Sequence, residues 1–466
     1  MLTVPRGFIE ALSNSLKELI IKIGPRDEKN EKHLSISGKP ELGYDSEILY
    51  KIWGITGVIN KYQALNKHVN QSVLHSVVFD GVQNKITSIV NAGDQRIALD
   101  SWKDIKLLDE EIKKLIASII VTISDEKEWM VYVPLYDINI EADFDFADVK
   151  FITCTEEMAL TLCGSPSDEG LLGALGKASL FKTWSHPIRL QNNTLLSMKL
   201  RGVHYGTSES NVVSKAEDVS ILSLALLYVC FLFGRISSKT KYMGDNAYSP
   251  TLSMLLKCSG NIAEEVSLER ISPFRETYDV DKKFIESKPY PFKLFEHFIM
   301  NVPMCFLKKL IIDSIDWFYD FLWEKNFSMR FIKLLIACEI LLNVPPGQGQ
   351  SMKFTDNAAI LAGRDTEQRK AIAKEIGDIL TTRGSIFHKG KKMPNDKDYE
   401  ALRQLRIHYL RILIEVIQIA VEHPEYREDE KGYKDLFDSQ KYGAWHPNRK
   451  FELPKTLLKA AKESNE

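Results

Sequence analysis

Apolar positions change rhythm near residue 210. Ahead of it, Ala11 to Ile23 and Leu107 to Ile120 carry apolar residues at helical spacing. Val73 to Phe79, Trp129 to Leu135 and Val149 to Cys154 are instead short runs rich in the β-branched and aromatic residues that fit a pleated surface. The pattern predicts a strand-rich, mixed α/β domain over residues 1–210.

From Lys215 onward strands largely disappear from the pattern. Apart from a polar, Pro-containing connection at Ser272 to Pro291, the spacing predicts helices over Phe292 to Met300, Met304 to Lys325, Met329 to Leu342, Thr366 to about Phe387, and Lys397 to His423. Ser328 is placed as an N-cap, the segment from Asn343 to Gly347 ends the helix it opens, and Pro394 to Asp396 separates the last two long helices. The expected fold class is α+β: a helical connector over 211–285 and an all-α bundle over 286–425 follow the strand-rich domain, with a polar C-terminal extension over 426–466. In the last long helix Leu402, Leu405, Tyr409, Ile412, Leu413, Val416, Ile417 and Ala420 form an apolar stripe, either core or dimer interface. Arg403, Arg406 and Arg411 have room to face solvent or a partner.

A chain of 466 residues with 44% hydrophobic residues is long enough for two or three domains with substantial cores. Its 61 Lys and Arg balance 63 Asp and Glu, so any attraction to nucleic acid has to be local. Cys154, Cys163, Cys230, Cys258, Cys305 and Cys338 form no CxxC pair and sit mostly in apolar runs, which reads as buried free thiols in a reducing compartment. The N-terminus lacks the pattern of a secretory signal, so a cytoplasmic location is expected. Ile221 to Phe233 is nearly all apolar but shorter than the roughly 18 residues of a spanning helix, and Asp218 and Arg235 flank it. A buried core helix is expected, and no membrane partner.

The chemistry-bearing stretch is Thr382 to Gly390, which contains Arg383 and His388. Arginine is permanently charged and offers a fork of donors to phosphate oxygens; histidine titrates near neutrality. Such a pair supplies what RNA cleavage without a metal requires, because the ribose 2′-hydroxyl is already positioned beside the phosphorus. Five residues on a continuous helix put the two positions about 140° apart. Gly384 and Ser385 are expected to loosen or end the helix so that the pair converges. Lys389, Lys391 and Lys392 would hold the RNA backbone by charge. The plain alternative is a solvated helix end whose cations complement the helix dipole.

Arg330 to Leu342, which contains Ala337 and Glu339, then a loop, then Arg369 to Leu380 leading into Thr381 to Gly390, resembles the Apea-like branch of the HEPN superfamily. In that branch a helix with an Ala-x-Glu element precedes a helix ending in an arginine–histidine motif. The resemblance covers about Pro291 to His423. Gly384 stands where that motif carries a small polar residue, Ser385 follows one position later, and Lys389 intervenes before Gly390. The resemblance implies an all-helical endoribonuclease domain that dimerises, joins two RxxxxH motifs in a composite cleft and cuts RNA without metal or other cofactor. It also implies a prokaryotic anti-phage, abortive-infection-like role, with the N-terminal domain regulating the nuclease in response to a phage-derived or cellular trigger. Carried over by position, His388 transfers protons and Arg383 stabilises the phosphate. Glu339 and Ser385 would support them, Glu339 by orienting one of the pair. The alternative is a non-catalytic HEPN scaffold for RNA binding or dimerisation.

Other patterns are weaker. Leu171 to Ser179 imitates a phosphate loop but has Leu171 for the first glycine and Ala178 for the magnesium-holding hydroxyl. Glu141, Asp143 and Asp145 alternate with Ala142 and Phe144, which in a strand puts them on one face that could bind a divalent cation, a solvated acidic face being the favoured reading because no histidine or second acidic cluster accompanies them. His68, His75 and His297 have no partner at ligand spacing, and nothing fixes a role for Trp445 to Pro447.

Overall fold

The computed structural model describes residues 9–10, 13–14, 77, 81, 109–135, 138–163, 190–204, 211–234, 238–239, 251–258, 264–271, 277–324, 326–344, 349–389 and 396–441. The class is α+β. In chain order the elements are α1 (Asp109–Ser124), β1 (Lys127–Leu135), β2 (Ile138–Ile140), β3 (Phe144–Phe146), β4 (Val149–Thr153), α2 (Glu156–Cys163), β5 (Thr194–Gly202) and α3 (Asn211–Gly234). Four strands follow: β6 (Ser238–Lys239), β7 (Thr251–Cys258), β8 (Glu264–Ile271) and β9 (Thr277–Val280). The rest is helical: α4 (Lys282–Ser287), α5 (Phe292–Asn301), α6 (Phe306–Trp323), α7 (Phe327–Leu341), α8 (Gln350–Ala362), α9 (Thr366–Lys389), α10 (Asp396–Glu422), a 3-10 turn (Pro424–Tyr426) and α11 (Glu430–Lys441).

Two sheets form, one of six strands in the order β3-β4-β5-β1-β7-β8 and one of three in the order β2-β9-β6. Strands β3, β4 and β5 pair antiparallel, with Phe144 opposite Phe151 and Ile152 opposite Leu195. Strand β2 instead runs parallel to β9, Ile138 lying beside Tyr278. The strands at 238–280 correct the expectation that strands fade after Lys215 and that 211–285 is a helical connector. Val77 is helical, where the run Val73 to Phe79 was expected to be a strand; the rest of that run, and nearly all of Ala11 to Ile23, lie outside the described residues.

The chain forms two compact units that do not follow its order: 1–130, 199–216 and 256–266 make one, and 131–198, 217–255 and 267–466 the other. In the first, α1 buries Leu115, Ile116, Ile119 and Ile123 on one face, and Trp129 Nε1 donates to Gly202 O at 3.1 Å. In the second, strands and helices share one aromatic core. Phe144 stacks on Phe151 at 4.7 Å, and Phe146 meets Phe292 at the start of α5 edge-on at 4.8 Å.

Helix α3 is long and apolar enough to cross a membrane by length and composition alone. Its residues in the second unit are nonetheless occupied by protein. Phe231 stacks on Tyr278 of β9 and meets Phe284 of α4, Tyr228 faces Phe318 of α6, and Leu232 and Phe233 pack on Ile407 of α10. A helix apolar all round is explained by that burial.

Helix α10 is the axis of the helical part. The whole stripe expected from sequence is buried, and so are Ile407, Leu410, Ile414 and Ile419 on its other sides, so the stripe is core. Phe318 stacks on Tyr409 at 4.6 Å, and the Ser314 hydroxyl donates to Ala337 O at 2.8 Å while lying 3.2 Å from the Tyr409 hydroxyl, which ties α6, α7 and α10 together. Helix α11, expected to belong to a polar extension, packs inward: Tyr433 and Leu436 are fully buried, and the Tyr433 hydroxyl donates to Leu341 O at 2.7 Å. Lys308 of α6 turns its ammonium onto the C-terminal end of α5, at 2.9 Å from Ile299 O and 2.6 Å from the carbonyl of the C-cap residue Val302. Cations at a helix C-terminus satisfy carbonyls the helix cannot.

Candidate functional site

Helix α7 starts two residues earlier than Ser328 would set it. Asn326 is the N-cap, its side-chain oxygen accepting from Met329 N at 3.1 Å, so Ser328 lies inside the first turn. Phe331, Leu334, Leu335, Cys338 and Leu341 form the buried face, and Glu339 comes at its edge, half-buried near the helix end. Burial pushes the Cys338 thiol well up, and the neighbouring Glu339 charge pushes it further.

Helix α9 opens with a reciprocal cap. Asp365 Oδ1 accepts from Gln368 N at 2.8 Å, and the Gln368 side chain accepts from Arg364 N at 3.1 Å. Ile372, Ile376 and Ile379 then make a buried stripe at helical spacing. Arg383, four residues after Ile379, continues that stripe, which is why the guanidinium turns toward α7. Its Nη1 lies 3.6 Å from Glu339 Oε1, with 33% of the arginine side chain and 18% of the glutamate side chain exposed. Gln350 Nε2, at the start of α8, approaches the same Glu339 oxygen at 3.4 Å. Burial raises the Glu339 carboxyl above its usual value, and the Arg383 charge works against that rise.

The helix does not loosen at Gly384 or Ser385, as the sequence suggested, but runs on to Lys389. One helical glycine costs about 1 kcal/mol against alanine, too little to stop a helix anchored by a buried stripe. A Cβ at Gly384 would meet no atom within 4 Å, so packing does not require the glycine either. The backbone positions of Arg383 and His388 therefore stand about 140° apart around one helix axis. Ser385 and Lys389 belong to the same helical run, while Lys391 and Lys392 lie outside the described residues. The structure thus joins Arg383 to Glu339, and sets the backbone positions of Arg383 and His388 on one uninterrupted helix.

A second polar pair leaves no mark in the sequence pattern. His408 of α10, 1% exposed, has Nε2 at 2.9 Å from Glu375 Oε2 of α9. The hydrogen bond to His408, with help from the charges of Arg411 and Arg403, holds the Glu375 carboxyl below its usual value. Only the packing of α9 against α10 brings these positions together, and the isolated His at 408 carried no signal of it.

The acidic alternation at 141–145 is not one strand face. Strand β2 ends at Ile140 and β3 begins at Phe144; Glu141 Oε2 accepts from Lys282 N at 2.9 Å and Asp143 Oδ1 from Thr153 N at 3.0 Å. Among the described residues no group of three or more His, Cys, Asp or Glu side chains is placed to hold a metal ion. His297 is exposed and its Nδ1 lies 3.3 Å from Asn301 Nδ2. Cys154, Cys230, Cys258, Cys305 and Cys338 are free thiols, the first, second and last of them buried. Leu171 to Ser179, His68, His75 and Trp445 to Pro447 lie outside the described residues. Comparison with protein-family models, curated proteins and solved structures returned no match.

Proposed function

We propose that the chain is a metal-independent endoribonuclease of the HEPN kind, acting through the Arg383–His388 segment of α9. The observation that supports this reading is the Arg383–Glu339 pair. A partly exposed guanidinium, oriented by a half-buried carboxylate from a second helix, is the fixed cation that a phosphate requires, and it comes from the two helices that carry the HEPN resemblance. In the reaction a base takes the proton of the ribose 2′-hydroxyl, the 2′-oxygen bonds to phosphorus, the bond from phosphorus to the 5′-oxygen breaks, and that oxygen takes up a proton. A cyclic phosphate and a 5′-hydroxyl result. His388 serves the proton transfers, Arg383 offsets charge building on the non-bridging oxygens, and Lys389, Lys391 and Lys392 hold the backbone.

Two chains form the working unit. Across a homodimer the 140° between Arg383 and His388 on one helix is no obstacle, because each copy supplies one group to the other's cleft. The biological setting is cytoplasmic anti-phage defence of the abortive-infection type, with the region ahead of the helices responding to a phage-derived or cellular trigger. The test is RNA incubated with the full chain in EDTA. Cleavage leaving cyclic-phosphate ends, abolished in Arg383→Ala and His388→Ala proteins that still fold, is expected; unchanged cleavage by both variants overturns the reading.

The continuous course of α9 through Gly384 favours a second reading, a non-catalytic RNA-binding or dimerisation scaffold. Under it RNA shifts in a gel but stays intact, and the two variants lose stability or binding rather than turnover.

A further inference from the structure

A groove of about 440 Å³, open to solvent, runs between α8 and α9, bounded by Met352, Thr355 and Asp356 on one side and Gly377, Leu380 and Thr381 on the other. This lies within the size range of small-molecule sites, about 300–1,000 Å³. Both of its walls lead to the candidate site. On α8 it begins just past Gln350, which approaches Glu339, and on α9 it ends two residues before Arg383. At 1.5 Å rise per residue, Thr381 and Gly377 stand about 3 Å and 9 Å from Arg383 along the axis. That is the reach of one nucleotide from its own phosphate.

We propose that this groove is a base-binding subsite selecting guanine next to the phosphate held by Arg383; the assignment rests on the ribonuclease reading above. The polar chemistry of the walls sets the choice. Thr355 Oγ1 donates to Ser351 O at 2.9 Å and Thr381 Oγ1 to Gly377 O at 3.0 Å, so both hydroxyl protons are spent within their own helices. The negative charge of Asp356 makes the groove accept hydrogen bonds and keeps a phosphate at the Arg383 end. Ser351, the remaining polar wall residue, has a hydroxyl that can donate or accept, so it does not discriminate; a base that meets the Asp356 carboxylate has to bring donors. Guanine presents N1–H and its 2-amino group side by side, matching the two oxygens of one carboxylate, whereas adenine, cytosine and uracil offer a single donor group on that edge.

The apolar surfaces suit a flat ring. Met352, 64% exposed, and Leu380 flank the opening. Gly377 lies inside a helix, where glycine costs about 1 kcal/mol against alanine, and a Cβ there would meet nothing within 4 Å. The missing side chain leaves bare backbone in the groove lining, as glycine does where a ligand approaches the main chain closely.

Two measurements on the full chain test the assignment. The first maps fragment ends on an unstructured RNA of mixed sequence. Cuts are expected to concentrate beside guanines, with the preference falling about tenfold in Asp356→Asn, the scale of one bidentate base contact. Gly377→Leu, which fills the groove from an open position, should remove the same preference. The second titrates GMP, AMP, CMP and UMP into the protein by NMR. GMP should bind most tightly, and both substitutions should bring it level with CMP. If wild-type cuts show no guanine bias, or GMP binds no better than CMP, the subsite is refuted whatever the nuclease activity. If RNA stays intact while GMP still binds through Asp356, the ribonuclease reading fails and the guanine site stands.

Discussion

Removing Arg383 should cost stability in a pH-dependent way, and that cost has to be known before any loss of RNA cleavage is credited to chemistry. In Arg383→Ala the Glu339 side chain, only 18% exposed, loses its cation and keeps only Gln350 at 3.4 Å among its described polar contacts. Breaking a fully buried pair costs about 3–5 kcal/mol, and an exposed one about 0–1 kcal/mol. With a 3.6 Å separation and a third of the arginine in solvent, about 1 kcal/mol is expected at pH 7. The pH dependence follows from the carboxyl. Burial already raises the Glu339 pKa in the native state, and taking away the charge that opposes the rise moves it further. A raised carboxyl pKa leaves stability intact below the unfolded value near 4.5 and withdraws it as pH climbs through the folded value.

The cost of Arg383→Ala should therefore shrink toward zero near pH 4. Urea unfolding of wild type, Arg383→Ala, Glu339→Gln and the double variant at pH 4 and pH 7 measures this directly. A coupling energy at pH 7 that vanishes at pH 4 supports the account. Equal costs at the two pH values, or a coupling within about 0.3 kcal/mol of zero at pH 7, refute it.

Four further outcomes follow from the geometry. Gly384→Ala should stabilise the protein by about 0.5–1 kcal/mol in urea midpoint measurements, because its Cβ meets open space inside a helix, whereas Gly363→Ala should destabilise by about 1–3 kcal/mol, because its Cβ would sit 2.8 Å from Ala359 O and 2.9 Å from the Arg369 Cα. Tyr433→Phe should cost about 1 kcal/mol by leaving the Leu341 carbonyl without the buried hydroxyl 2.7 Å away. Glu375 is held below its usual pKa, so its contribution is present above the unfolded value near 4.5 and lost as pH falls through the folded one; Glu375→Gln should flatten the acid limb of a stability–pH profile by under about 1 kcal/mol, the carboxylate being half exposed.

What the sequence disclosed depended on how local each signal was. The long helices from Phe292 to His423 write their buried faces at helical spacing, and their ends fell within a few residues of expectation. Strands β7 and β8 are not legible in the pattern because Thr251 to Cys258 and Glu264 to Ile271 hold few β-branched residues, and strand formation is decided as much by sheet neighbours as by propensity. Helix α8 is not legible in the pattern because half of its buried residues, Ala358, Ala359 and Ala362, carry little periodic contrast.

The same distinction decides what was legible in the candidate site. Arg383 and His388 were conspicuous as residue types, but the relation between them depended on whether Gly384 breaks α9, and a glycine's effect is set by the tertiary anchoring around it. The stripe of Ile372, Ile376 and Ile379 supplies that anchoring, keeps the helix intact, and turns Arg383 toward Glu339. One consequence bears on any phosphate the arginine takes: it has to compete with, or share, a carboxylate already in place. Under the proposed ribonuclease reading, an arginine so engaged would keep the resting chain quiet, and the balance between Glu339 and phosphate at Arg383 would be the place where activation acts.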